Sequence, residues 1–91
     1  MSGGWEIDFP ERLAEEFARL SAGERRAVYD LLKRLADEPR GDSSTREPIT
    51  AAELRRAHSD PAADSGDRVT VLYRIHDKTR RLQLIWFLAG P

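Results

Sequence analysis

Apolar and polar side chains alternate near both ends of the chain, with the two-residue period that is typical of a β-strand. Near the start, acidic residues separate three apolar ones, Trp5, Ile7 and Phe9. Near the end, two longer segments with this pattern, residues 68–76 and 81–88, flank the polar residues 77–80. The pattern predicts a short N-terminal strand that ends at Pro10 and a long antiparallel β-hairpin close to the C-terminus.

Between these strands, apolar residues recur every three or four positions, which is the spacing of an amphipathic helix. A first helix is predicted after Pro10, a residue favoured in the first helical turn, with the apolar residues Leu13, Phe17 and Leu20. Ser21 and Glu24 have the S-x-x-E spacing of a capping box, which marks the start of a second helix. Its apolar stripe consists of Val28, Leu31, Leu32 and Leu35. Because Pro39 ends this helix, the two helices are predicted to form an αα-hairpin.

The segment between the second helix and the β-hairpin has no sustained period. Residues 40–50 and 59–67 are rich in turn-forming residues and are predicted to be surface loops. Residues 50–58 fit two structures. Thr50 and Glu53 repeat the capping-box spacing, which favours a short helix, whereas residues 54–58 also fit an edge strand beside the hairpin. The short helix is the preferred prediction.

A length of 91 residues without any cysteine fits one small domain, residues 1–91, that folds without disulfides. No apolar run approaches the roughly 18 residues that a membrane span needs, and no leader sequence is evident, so we expect a soluble cytoplasmic protein with no membrane contact. The two histidines are 18 positions apart and Gly66 stands alone before a strand. These features predict no metal site, no glycine-rich phosphate loop and no cofactor.

The charge is distributed unevenly although the net charge is only −1. Residues 1–45 carry seven basic and ten acidic side chains, whereas residues 46–91 carry eight basic and six acidic ones. The positive half of the chain is therefore the half that contains the β-hairpin.

The order of elements predicts an α+β domain of two layers, in which the N-terminal strand and the αα-hairpin pack on an antiparallel sheet that ends in the β-hairpin. Three segments carry more specific information: Trp5 to Phe9, the helix end Leu35-Ala36-Asp37-Glu38-Pro39, and Gly66-Asp67 leading into Leu72-Tyr73-Arg74-Ile75. Together they resemble the RelE/ParE superfamily of bacterial toxin–antitoxin toxins. The resemblance covers nearly the whole chain and implies a cognate antitoxin as partner.

The resemblance implies three alternative functions. A RelE-like toxin is an mRNA interferase, an endoribonuclease that inhibits translation by cutting mRNA on the ribosome. A ParE-like toxin binds DNA gyrase without cleavage of its own. A non-toxic relative would serve as a binding or regulatory module. We expect the protein to be a toxin. The sequence supports mRNA cleavage and gyrase binding almost equally, and mRNA cleavage is the preferred prediction.

The sequence departs from the cleaving members of the superfamily in three ways, so enzymatic activity stays open. Thr70 occupies the place where RelE-like sequences usually carry an arginine. The chain stops at Pro91, without the catalytic C-terminal tail of those members. Its isoelectric point, near 6.1, is lower than a protein that binds ribosomal RNA phosphates would usually have.

RNA cleavage requires basic side chains and a proton carrier on one face, because the phosphate charge must be stabilised and the leaving oxygen protonated. The catalytic candidates are Arg68, Arg74 and His76, which share a face of the first hairpin strand, and Arg81 at the start of the second. The RNA-binding candidates are Arg55, Arg56, His58, Lys78 and Arg80. The basic residues at the turn, Lys78, Arg80 and Arg81, have an alternative explanation without any function: charged side chains there keep a strand edge soluble.

The aromatic residues are predicted to belong to the core. Six of them lie in apolar stripes, so we do not expect them to stack on bases: Trp5, Phe9, Phe17, Tyr73, Trp86 and Phe87. The hydroxyl of Tyr73 would then need a buried partner.

Overall fold

Five strands and two helices form two layers in the computed structural model, which describes residues 4–48 and 52–90. The strands are β1 (Glu6–Asp8), β2 (Ser44–Arg46), β3 (Leu54–His58), β4 (Arg68–His76) and β5 (Arg81–Gly90). A 3-10 turn, Glu11–Leu13, leads into α1 (Ala14–Arg19), and α2 follows as Ala22–Asp37. The order of strands in the sheet is β1-β5-β4-β3-β2. The predicted α+β fold class is confirmed.

The N-terminal strand makes the sheet mixed rather than wholly antiparallel. β1 is parallel to β5, and Glu6, Ile7 and Asp8 pair with residues 81–83, whereas all the other neighbouring strands are antiparallel. β1 therefore covers only the first three of the ten residues of β5. β1 and β5 are not consecutive in the chain, so no tight turn, which could join only antiparallel strands, has to connect this parallel pair.

The second helix begins as the sequence predicts. The hydroxyl of Ser21 accepts from the Glu24 backbone N–H at 3.1 Å, and the Glu24 carboxylate accepts from the Ser21 backbone N–H at 2.9 Å, which completes the capping box. The helix ends at Asp37, two residues before Pro39. Its predicted apolar stripe, residues 28, 31, 32 and 35, is buried against the sheet. Burial of each such side chain contributes about 1.5–3 kcal/mol to stability.

The loop before β4 is fastened to the start of α2, and this connection fixes the point where the hairpin begins. Asp64 accepts from the backbone N–H of Gly23 and from the hydroxyl of Ser21, both at 2.9 Å. The hydroxyl of Ser65 donates to the Glu24 carboxylate at 2.7 Å. The bond from Gly23 lowers the pKa of Asp64, and the bond from Ser65 lowers the pKa of Glu24. Residues 59–67 form a loop, as predicted.

The helix side of the β-hairpin forms the centre of the core. Val69, Val71, Tyr73 and Ile75 of β4 are all buried, as the alternation predicts, and they pack with the stripe of α2. The hydroxyl of Tyr73 donates to the backbone carbonyl of Pro39 and is bonded to the hydroxyl of Ser44. Burial raises the pKa of Tyr73, so the phenol stays neutral in its closed environment.

Two predictions for the segment between α2 and β4 are wrong. Residues 44–46, predicted to lie in a loop, form the edge strand β2, and residues 54–58, predicted to be helical, form β3. The alternative prediction of a strand beside the hairpin is confirmed for residues 54–58, since β3 pairs with β4, but β3 lies between β2 and β4 and is therefore an interior strand and not an edge strand. Thr50 and Ala51 of the predicted helix lie outside the described residues. Glu53, the supposed capping residue, instead accepts a two-pronged hydrogen bond from Arg40.

No helix within residues 4–48 and 52–90 is long and apolar enough to cross a membrane. The same residues contain no cluster of three or more histidine, aspartate or glutamate side chains that could hold a metal ion.

Candidate functional site

The helices cover one side of the sheet, and we call the opposite side the outer face. In β4 the outer face consists of the residues that alternate with the buried ones: Arg68, Thr70, Leu72, Arg74 and His76. Directly opposed residues of neighbouring strands project to the same side of a sheet. The register therefore adds Arg56 and His58 from β3, and Arg81, Gln83, Trp86 and Leu88 from β5. Most of the predicted site residues thus share one face.

The outer face is too long for these residues to form one site. Arg68 and His76 are the first and last residues of β4 and lie eight positions apart, which corresponds to about 26 Å of extended strand. A single phosphate cannot contact both. The structure therefore divides the four catalytic candidates between two ends of the sheet: Arg74, His76 and Arg81 near the hairpin turn, and Arg68 at the opposite end, which we call the His58 end.

Near the hairpin turn, the basic groups are largely engaged with neighbours. The Nε2 atom of His76 lies 2.9 Å from Oε1 of Gln83, and Arg81 forms an ion pair with Glu6 at 3.4 Å. Arg74 is exposed and has no hydrogen-bond or ion-pair partner among the described residues. This end of the sheet supplies cations, but the ring of its histidine, His76, is already hydrogen-bonded to Gln83.

At the His58 end, an imidazole and a guanidinium line the same concave surface. Nδ1 of His58 is 2.9 Å from the hydroxyl of Thr70, its direct partner across the strands. Arg68 is the diagonal neighbour of His58, about 7–8 Å away at Cα, which is within reach of a long side chain. Arg68 is exposed, and no ion-pair partner for it occurs in the described ranges.

Three clefts meet at His58. The first, about 370 Å³, is lined by His58, Arg68, Thr70, Leu88 and Gly90. The second, about 840 Å³, extends from His58 and Arg68 towards the end of α2 and contains the acidic residues Asp37, Glu38, Asp42 and Asp60. The third, about 260 Å³, runs along β2 past Thr45 and Arg56. His58 lines all three clefts and Arg68 lines two, so these two side chains lie where the clefts meet.

The charge of the lining residues changes from positive at Arg68 to negative in the second cleft. Arg56 is paired with Glu47 at 2.6 Å, and Asp60 with Arg34 at 3.4 Å, whereas Arg68 has no ion-pair partner among residues 4–48 and 52–90. An anion is therefore favoured at the wall formed by Arg68 and His58, and disfavoured deeper in the second cleft, where carboxylates accumulate.

Arg55, one of the RNA-binding candidates, projects to the helix side and not to the outer face. It is paired across the sheet with the buried Tyr73, and its Nε donates to the Ser44 hydroxyl at 2.6 Å. A further bond joins it to Glu53 at 3.3 Å. Arg40, which also contacts Asp77 of the hairpin turn at 3.0 Å, is the main cause of the lowered pKa of Glu53. Arg55 thus belongs to a polar network that ties β2, β3 and the hairpin turn together.

The two candidates in the hairpin turn lie away from the clefts. Arg80 adopts a positive φ of 52°, stacks over the ring of Trp5 at 4.6 Å and donates to the Gly4 carbonyl at 3.3 Å. Lys78 is exposed in the same turn. Both residues lie near the first residues of β5, at the opposite end of the outer face from His58.

A β-bulge in β5 places an aromatic residue on the outer face. Strict alternation from Leu82 and Leu84 would turn Trp86 inward, but the register shifts by one residue opposite Leu72 and Tyr73. Trp86 therefore pairs with the outward Leu72, and Phe87 becomes the buried residue. The prediction that Trp86 belongs to the core is wrong for this reason, and Phe9, with 36% of its surface exposed, lies at the border of the core.

Two residues of this surface were not identified as candidates from the sequence. Thr70 was noted only as a missing arginine, although its hydroxyl orients the imidazole of His58. Trp86 could have been suspected because residues 84–89 form an unbroken apolar run, which is longer than one buried face requires.

Comparison with known proteins supports the fold. No protein-family model matches the sequence, and no curated protein matches it. Among solved structures, the isolated E. coli RelE toxin matches with a TM-score of 0.70 and 17% identity over 96% of this chain and 85% of that one. A free E. coli RelE mutant in which two arginines are replaced by alanine gives a TM-score of 0.69 at 17% identity, covering 92% and 81% of the two chains.

An archaeal structure, the RelE–RelB complex from Pyrococcus horikoshii OT3, also matches, with a TM-score of 0.69 and 12% identity over 94% of each chain. At these identities the likeness concerns the backbone and not the chemistry of the site. It agrees with the observed pattern of two helices packed on one face of a five-stranded mixed sheet. The chain therefore has the fold of the RelE toxins.

Proposed function

We propose that the protein is a RelE-like toxin that cuts mRNA on the ribosome, with its reactive centre at the His58 end of the outer face. The observation that carries this proposal is that His58 lines three clefts and stands beside Arg68, an arginine with no partner in the described part of the chain. A proton carrier beside an uncompensated cation is the minimum that RNA cleavage requires.

The proposed reaction is the attack of a 2′-hydroxyl on the adjacent phosphorus. The P–O5′ bond breaks, which leaves a 2′,3′-cyclic phosphate and a 5′-hydroxyl. Arg68 donates to the non-bridging phosphate oxygens as their charge grows, and the Nε2 atom of His58 delivers the proton to the leaving 5′ oxygen. Thr70 fixes the ring through Nδ1, so Nε2 is the nitrogen that faces the substrate. The proton of the 2′-hydroxyl passes to water or to a group of the ribosome.

The partner under this proposal is an antitoxin. One of the matching structures is a RelE–RelB complex, and this chain spans 94% of the matched chain. The exposed Arg68 and Arg74 would be met by acidic side chains of the bound antitoxin, because opposite charges across an interface set its register and speed association.

A protein target such as DNA gyrase is the second candidate. The formal net charge of −1 favours it, because an almost neutral protein gains little long-range attraction to the phosphates of a ribosome. Under this alternative, the arginines of the outer face would bind carboxylates of the target and no RNA would be cut.

The test is induced expression in a bacterial host, with growth recorded and new 5′ ends mapped on translated messages. We expect arrest with cuts inside codons for the wild type, and loss of both in His58→Gln. His76→Gln is the matched comparison, since it changes the other histidine, about 20 Å along the sheet from Thr70. Cuts that persist in His58→Gln and vanish in His76→Gln would move the centre to the hairpin turn.

Two further outcomes would replace the proposed function. Arrest with intact mRNA would favour the protein target. Normal growth, with soluble protein accumulating in the cells, would indicate a non-toxic binding module.

A further inference from the structure

The outer face carries several apolar side chains among its basic residues. We call Leu72, Trp86 and Leu88 the apolar strip. Leu72 and Trp86 are directly opposed in the register of β4 and β5, and Leu88 follows beside Thr70. Leu88 has 63% of its surface exposed, and the other two are only partly buried. Exposed apolar groups that adjoin one another are more informative than scattered ones, because contiguous apolar surface marks a place of contact.

The position of Trp86 depends on the bulge in β5. A bulge interrupts the ladder of backbone hydrogen bonds and redirects the side chains that follow it. With strict alternation, Trp86 and Leu88 would add to the core and Phe87 would lie outside. The bulge buries Phe87 and leaves the tryptophan ring, the larger aromatic group, accessible on the outer face.

Arginines surround the apolar strip on three sides. Arg56 is the direct partner of Leu72 on β3, Arg74 lies two residues further along β4, and Arg68 lies four residues back. From strand spacing and rise, these Cα atoms lie about 5, 7 and 13 Å from that of Leu72. Arg68 and Arg74 have no acidic partner within the described residues.

We propose that the apolar strip is a stacking platform for the bases of single-stranded RNA, whose phosphates contact Arg56, Arg68 and Arg74. The inference rests on the proposed function and deepens it, since it states how the substrate strand is held beside His58. Each nucleotide combines a flat π-face with an anionic phosphate, and this combination matches an aromatic surface bordered by three arginines, two of which have no acidic partner among the described residues. Stacking is tolerant of sequence, so the platform binds RNA without selecting one base.

A protein segment such as the proposed antitoxin would cover the same surface only with apolar side chains over Trp86 and Leu88 together with carboxylates placed at Arg68 and Arg74. RNA supplies both groups in every nucleotide, and the cleft lined by His58, Arg68, Thr70 and Leu88, which contains no acidic residue among the described ones, continues the apolar strip towards His58.

Trp86 itself is the probe of the experiment. The chain contains two tryptophans, so Trp5→Phe leaves Trp86 as the only one. This variant is titrated with a 2′-O-methyl RNA hexamer, which cannot be cleaved through its 2′-oxygen, and with an abasic hexamer that carries the same phosphates. We expect the first to quench the fluorescence of Trp86, and the second to bind more weakly without quenching.

The second variant is Trp86→Leu, which keeps the strip apolar but removes the ring. Its affinity for a labelled hexamer should fall by roughly 5- to 150-fold, which corresponds to 1–3 kcal/mol per stacked base. Its melting temperature is measured in parallel. If this variant fails to fold, the quenching measured in Trp5→Phe still decides the question.

The outcomes separate the platform from the proposed cleavage. Unchanged affinity in Trp86→Leu and no quenching, while the wild type cuts mRNA in cells, would overturn the platform and leave the nuclease. Base-dependent quenching without cuts in cells would support the platform and overturn the cleavage. Absence of RNA binding, or quenching by an acidic apolar peptide alone, would overturn the platform and indicate a protein partner.

Discussion

Removal of one oxygen atom from the core should measurably destabilise the protein. The perturbation is Tyr73→Phe, which deletes the hydroxyl that donates to the Pro39 carbonyl and is bonded to the Ser44 hydroxyl. The ring of Tyr73 is fully buried and would keep its packing. Ser44 retains the donor from Arg55, but the Pro39 carbonyl is left without a hydrogen-bond donor among the described residues.

The magnitude follows from these contacts. Each lost hydrogen bond costs about 1 kcal/mol, and a buried acceptor left without a donor costs about 1–3 kcal/mol, so we expect a loss of about 2 kcal/mol. In a domain of this size, each kcal/mol lowers the melting temperature by about 4–8 °C. Tyr73→Phe should therefore melt about 8–16 °C below the wild type.

The assay is urea unfolding followed by circular dichroism. The slope of the transition is compared between the variants, because an unchanged slope means that the unfolded state is the same. The chain offers a matched control, because its other tyrosine, Tyr29, is 54% exposed. Tyr29→Phe keeps the ring contact with Phe17 at 5.4 Å and should stay within about 0.5 kcal/mol of the wild type. Equal stability of wild type and Tyr73→Phe, or equal losses in both variants, would refute the reasoning.

Three further predictions concern charged groups. Arg55→Gln should lower the free energy of unfolding by about 1–3 kcal/mol, because it breaks hydrogen bonds to Ser44 and Glu53. The control Arg56→Gln, at an exposed arginine, should lower it by less than about 1 kcal/mol. Equal losses in urea titrations would contradict the inward placement of Arg55. Arg68→Ala should abolish growth inhibition while its melting temperature stays nearly that of the wild type, and Arg74→Ala should be equally stable; a large loss of stability in either would mean that the arginine is structural. The lowered pKa values of Glu24 and Asp64 mean that their stabilisation is complete above the ordinary carboxylate pKa of about 4 and is lost as the pH falls through the lowered values. Unfolding measured from pH 7 to pH 3 should thus show a steeper decline in the wild type than in Glu24→Gln/Asp64→Asn, and parallel curves would count against this account.

The parts of the fold that sequence predicts well are those fixed by nearby residues. The capping box of Ser21 and Glu24 is completed within four residues, and the hairpin of β4 and β5 is closed by a short turn. β2 and β3 are different. Ser44–Arg46 contains no apolar residue, so it exists as a strand only through its pairing with β3, and local spacing favoured a helix for residues that the sheet holds extended.

The site is predictable to a similar extent. Alternation places Arg68, Arg74 and His76 on one face correctly, but it does not measure the length of that face, which separates them into two ends. The bulge in β5 turns Trp86 to the outer face, and the sequence around it contains no glycine that would have predicted a bulge. His58 gains its position from pairing with Thr70, twelve residues away, and this contact depends on β3 being a strand.

The parallel pairing of β1 with β5 has a consequence for the order of folding. Glu6 meets Arg81, so the first strand must wait for a partner that lies 75 positions later in the chain. At the usual rate of synthesis of about 5–20 residues per second, this interval lasts roughly 4–15 s. Contacts between such distant residues also form slowly, because the closure of a long loop must precede them. Trp5 and Ile7, which pack against the core only once β5 is in place, stay exposed during that time. The N-terminal strand is thus expected to be the last element to join the sheet, and newly made chains are most prone to aggregation in the seconds before it does.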